Sequence, residues 1–99
     1  MSDERCCMII DAQPVTRLGI RDALSSEEDW SFEELPHGGD ALDTLRSVGP
    51  FEIAVVEMRP AGNGSPSGTA TIKALLLEQP GLGVVGHGGG IERHALVEA

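Results

Sequence analysis

Short apolar runs alternate along this chain with stretches in which apolar residues recur every three or four positions. The first run, Cys6-Cys7-Met8-Ile9-Ile10, is apolar throughout and stops at Asp11. An unbroken run of this kind predicts a strand covered on both faces, as in a parallel sheet. Pro14 then stands at a first helical position, where its missing N–H costs nothing. Ile20, Ala23 and Leu24 follow at i, i+3 and i+4 and predict one face of a helix, with Arg17, Arg21 and Asp22 directed elsewhere. Residues 25–29 close that helix.

Trp30 and Phe32 alternate with Ser31 and Glu33, which predicts a half-exposed second strand. Residues 36–39 read as a turn. Asp40 opens a second helix with Ala41, Leu42, Leu45 and Val48 on one side, and Gly49-Pro50 stops it. Ile53-Ala54-Val55-Val56 is a third strand ending at Glu57, and residues 60–68 have the composition of a flexible loop. A third helix carries Ile72, Leu75 and Leu76 and ends before Pro80-Gly81. Residues 82–85 predict a fourth strand, 86–90 a loop, and Ile91 to Ala99 the start of a fourth helix. Strands alternating with helices predict an α/β domain of three layers around an open parallel sheet, (βα)4 in order.

Composition narrows this picture. A chain of 99 residues suffices for one domain, 1–99, and not for two. Aromatic residues make up only 3%, so the core must be aliphatic. A net charge of -9 argues against direct contact with nucleic acid or an anionic membrane surface, both of which need clustered Lys and Arg. Cys6 and Cys7 are adjacent and are the only cysteines, so a disulfide framework and zinc-finger spacing are excluded. The N-terminus has no apolar signal region, and no apolar run is long enough to cross a bilayer. A cytoplasmic location is the expectation.

Candidate chemistry sits at strand ends. In open parallel sheets, sites lie outside the carboxyl ends of strands, where the strand order reverses. Asp11 ends the first strand and Glu57 the third. Neighbouring strands would bring both carboxylates into one acidic pocket, able to hold a hard cation or receive a phosphoryl group. The plainer alternative is that Asp11 caps the first helix and Glu57 is a solvated strand-end acid. A second candidate is the run Gly86, His87, Gly88, Gly89, Gly90, a glycine loop before a helix start, whose backbone N–H groups could hold an anion or small ligand. No G-x-S-x-G elbow and no Gly-Lys-Ser/Thr occurs, which excludes the esterase and P-loop patterns. His37 sits in a turn without an obvious partner.

Several stretches resemble the receiver domain of two-component response regulators (CheY-like, flavodoxin-like in fold), most closely the type that precedes a helix-turn-helix in NarL/LuxR regulators. "MIIDAQPVTRLGIRDAL" is similar to the first strand and helix, "HGGDALDTL" to the following turn and helix, "IAVVEMRP" to the strand bearing the phosphoacceptor, and "EQPGLGVV" to the run into the fourth strand. The resemblance implies a role in signal transduction and transcription regulation, and no enzyme activity of its own. It places Glu57 at the phosphoacceptor position, where the family carries aspartate. It also locates the departures. The second acid after the first strand is Ala12; Pro60 comes one residue early; no Ser or Thr follows the fourth strand. The sequence ends at Ala99, before the family's fifth strand with its lysine. Glutamate is one methylene longer than aspartate and misplaces an in-line attack.

The expectation is therefore a degenerate receiver, truncated to four βα units, independent of phosphorylation, with no metal or cofactor. Glu57 would supply a fixed negative charge in place of a phosphoryl group. The output would be a protein–protein contact, either with a regulator partner or by homodimerisation. A fourth strand left open at the sheet edge favours the dimer, which segment exchange could build through Ile91, Ala95 and Leu96. A small-ligand sensor and a conventional phosphoacceptor using Glu57 are the alternatives. A piece of a longer DNA-binding regulator also fits.

Overall fold

The fold comes from a computed structural model that describes residues 5–25, 29–88 and 94–97, the last four by their backbone. The elements in chain order are β1 (Arg5–Ile10), α1 (Pro14–Ser25), β2 (Trp30–Leu35), a 3-10 turn (Gly38–Asp40), α2 (Ala41–Val48), β3 (Ile53–Glu57), α3 (Gly68–Glu78), β4 (Gly83–His87) and β5 (His94–Val97). They form one five-stranded sheet in the order β2-β1-β3-β4-β5. The first four strands are mutually parallel, as the apolar runs predict.

Helices cover both faces of the sheet. On one face Met8, Ile10, Ala54, Val56 and Val84 pack against Ala41 and Leu45 of α2 and Ile72 and Leu75 of α3. On the other, Cys7, Ile9 and Val55 meet Ile20 and Leu24 of α1, with Trp30 and Phe32 of β2. Successive residues of a strand point to opposite faces, so β1 must be apolar at every position to feed both cores. Full burial of side chains such as Met8, Ile9 and Leu75 is worth about 1.5–3 kcal/mol each. The α1 side is thinner. None of its residues is fully buried, and Val15 and Leu18 remain 80% and 57% exposed.

Cys7 is a core residue of this face. Burial, with a smaller push from neighbouring Cys6, drives its thiol pKa up to about 12. A thiol so protonated is a poor nucleophile, in keeping with a packing role.

The predicted fourth helix is replaced by a strand. Residues 94–97 run antiparallel to β4, with Val84 opposite Val97, Val85 opposite Leu96, Gly86 opposite Ala95 and His87 opposite His94. The helical spacing of Ile91, Ala95 and Leu96 competes here with a row of unpaired N–H and C=O groups on β4, and backbone pairing prevails. The edge of β4 expected to be open is therefore covered by the chain itself. Ile91 lies outside the described residues. No helix among the described residues is long and apolar enough to cross a membrane.

Candidate functional site

The strand order reverses between β1 and β3, and the residues that end these strands share a crevice. Asp11 follows β1 and is 3% exposed. Its position is fixed from several directions. Its N–H donates to the Leu35 carbonyl at 3.0 Å, and its own carbonyl accepts from Arg17 Nη1 at 2.6 Å. Arg17 is held in turn by Glu34 Oε1 at 3.1 Å, and Arg21 donates to Glu34 Oε2 at 2.9 Å. Asp11 Oδ1 accepts the Gln13 N–H at 2.8 Å, one residue before Pro14 opens α1. The helix-capping alternative is thus met in part by one oxygen of the carboxylate.

The other oxygen faces His87. Nε2 of the imidazole lies 3.0 Å from Asp11 Oδ2, the separation of an ion pair. The angles fall outside those of a hydrogen bond, and this buried nitrogen has no other partner among the described residues. A proton on Nε2 would give the pair the complementary charge that its separation suits.

Glu57 ends β3 beside them, in register with His87. Its Oε1 accepts the N–H of Ala12 at 3.1 Å, and its Oε2 takes an ion-paired hydrogen bond of 2.7 Å from Arg59 Nη2. Burial pushes this carboxyl up. The bonds from Arg59 and Ala12, with the charges of Arg59 and His87, outweigh that push and hold it below the ordinary glutamate value. The carboxylate at this position is closely paired.

The sequence reading missed Arg59. Its signal was available, since a cation two places after a strand-end acid can fall on the same side of an extended chain. The role of His87 was misplaced, because β4 extends through Gly86 and His87, two residues expected in a loop. Gly86 is buried in the strand, and a Cβ there would come within 2.9 Å of Met58 Sδ. It serves close packing. Gly88 follows the strand; Gly89 and Gly90 lie outside the described residues. Ala95 and Leu96 are backbone partners of Gly86 and Val85. His37 does have a partner: its Nδ1 accepts the Gly39 N–H at 3.0 Å and caps the 3-10 turn.

The loop after β3 is more ordered than its composition predicts. Asn63 and Gly64 both adopt left-handed backbone, with φ of 50° and 79°. Gly62 and Ser65 exchange two backbone hydrogen bonds, of 3.1 and 2.8 Å, across them. This is the two-residue turn that Asn-Gly favours. Ser67 then caps α3, accepting the Ala70 N–H at 3.0 Å. Gly68 lets the helix start against β3, since a Cβ there would lie 2.5 Å from the Glu57 carbonyl oxygen. Turn, cap and strand ends enclose a cavity of about 410 Å3 on the α2/α3 side of the acidic pair.

A divalent cation does not fit the acidic pair as built. Magnesium and calcium need several free oxygens. Here the second acid is Ala12, and each carboxylate oxygen already faces a donor or cation of the chain. Among the described residues no group of three His, Cys, Asp or Glu side chains is placed to hold a metal ion.

The backbone is similar to solved response regulators. A two-component response regulator of the LuxR family from Aurantimonas sp. SI85-9A1 has a TM-score of 0.71 at 18% identity, covering 87% of this chain and 59% of that one. A CheY-like response regulator receiver domain protein from Methanospirillum hungatei JF-1 gives 0.69 at 16%, covering 91% and 68%. A response regulator from Burkholderia pseudomallei, with a phosphorylated aspartic acid, calcium ion and citrate, gives 0.70 at 22%, covering 88% and 48%. No protein-family model matches the sequence, and no curated protein matches it. The fold is that of a CheY-like receiver domain, with its four parallel strands present and an antiparallel fifth.

Proposed function

We propose that this chain is a receiver-like signalling domain that works without phosphorylation, through protein–protein contacts in transcription control. One observation carries the reading. At the acceptor position the chain supplies its own partners: the Arg59 cation on Glu57, and the His87 imidazole against Asp11. A receiver that takes a phosphoryl group needs those oxygens open to metal and donor. Here they are tied to the backbone of Ala12 and Gln13 as well. The domain acts as a fixed scaffold and not as an enzyme.

The contact that transmits the signal is dimerisation or docking of a regulator partner. The exposed Val15 and Leu18 support such a contact, since at i and i+3 they stand as neighbours on one face of α1, and adjoining apolar side chains gain from being covered together. Incubation with acetyl phosphate and magnesium, read by intact mass, tests the first half of the proposal. An unchanged mass is expected. A phosphoryl adduct that disappears in Glu57→Gln would overturn it. Sedimentation of the full chain tests the second half: self-association that Val15→Ser and Leu18→Ser weaken is expected for a dimer.

A further inference from the structure

The cavity beside the acidic pair has a chemistry of its own. Its deepest lining residues are Ile10 and Val56, 3% and 1% exposed, at the ends of β1 and β3. Pro36, Pro60 and Pro66 line it nearer the surface. Its charged lining residues are Glu57 and its partner Arg59, whose side chain is 55% exposed, and His37, Asn63, Ser65 and Thr71 add polar groups. The Arg59 side chain spends one N–H on Glu57 and makes no other hydrogen bond among the described residues. A guanidinium carries five donors in a planar fork, so most of its capacity faces outward.

The walls are preformed. The left-handed Asn63-Gly64 turn is locked by two backbone bonds, and Gly38 packs directly on the Thr71 side chain with no room for a Cβ. A pocket that needs no ordering on binding keeps more of its interaction energy. At about 410 Å3 it has the size of a small-molecule site.

We infer that this cavity binds a small organic monocarboxylate, with its compact apolar body against Ile10 and Val56 and its carboxylate on Arg59. A planar carboxylate matches the guanidinium fork. A phosphate would bring a second negative charge next to Glu57, with a single cation to receive it. The net charge of -9 repels anions only weakly here, because exposed charges beyond about 8 Å are screened at physiological salt. The inference rests on the reading that Glu57 stays unmodified, since a phosphoryl group there would compete for Arg59.

The test uses amide-resolved NMR of the full chain, titrated with benzoate, with benzamide as its neutral isostere. Saturable benzoate shifts are expected at Gly38, Gly62, Asn63, Ser65, Gly68 and Thr71, with benzamide weaker by roughly tenfold, the loss of one charge-assisted contact. Arg59→Gln should reduce benzoate binding to the benzamide level. Ala12→Leu, which narrows the cavity and leaves Arg59 in place, should abolish both. Equal binding of benzoate and benzamide, full benzoate affinity in Arg59→Gln, or no saturable shifts at these amides would overturn the inference. Inorganic phosphate giving the same shifts at lower concentration would overturn the assignment of a carboxylate.

Discussion

His87, at the end of β4, reaches past β3 to set its Nε2 3.0 Å from the carboxylate of Asp11, at the end of β1. Three strand ends are thus tied together at one point. Removing His87 leaves a carboxylate that is 3% exposed facing an unfilled space. His87→Leu is expected to destabilise the fold by about 1–3 kcal/mol, the cost of a buried polar group deprived of a partner. Urea denaturation measures this, and the loss should shrink in an Asp11→Asn background. Equal losses in both backgrounds would mean that the two side chains do not interact.

Glu57 makes stability depend on pH in a defined direction. Its folded carboxyl titrates below the ordinary value of 4.5 because Arg59, Ala12 and His87 favour the charged form. The stabilisation is therefore complete above that value and is lost as pH falls through it toward the lower folded one. Glu57→Gln should flatten this part of the acid limb in thermal denaturation at a series of pH values. An acid limb of unchanged steepness would assign it to other carboxyls.

Gly68 should be intolerant of any side chain. A Cβ at this position meets the Glu57 carbonyl oxygen and the Met58 backbone. Gly68→Ala is expected to cost roughly 1–3 kcal/mol by overpacking. Gly62→Ala, where nothing lies within 4 Å, should stay within about 0.5 kcal/mol of the unaltered chain. Chemical denaturation of the two variants side by side checks the contrast.

The α3 cap offers a milder change. Ser67→Ala removes the acceptor of the Ala70 N–H and should cost about 1 kcal/mol, with Ser67→Asp restoring most of it. Failure of the aspartate to rescue would show that the serine acts through something other than its oxygen.

Four strands and three helices were legible because each is bounded by a breaker or a charge: Asp11 after β1, Pro14 into α1, Gly49-Pro50 after α2, Pro80-Gly81 after α3. Buried parallel strands advertise themselves as continuous apolar runs. β5 did not, because Ile91, Ala95 and Leu96 have a helical spacing and the strand exists only through its partner β4. The acidic pair was legible from strand ends. Its pairing was not, since His87 meets Asp11 only once β1, β3 and β4 are aligned. The Asn63-Gly64 turn carried a recognisable signal that the surrounding Gly, Ser and Pro content obscured.

The antiparallel fifth strand changes how the sheet can be assembled. Each parallel pair must wait for an intervening helix or long connection to bring its strands together. β5 pairs with a strand close to it in sequence, His94 sitting opposite His87. Loop-closure entropy rises with the length of chain enclosed, so this is the least costly pairing in the sheet. The outer strand is thereby held by the most local strand pairing in the sheet.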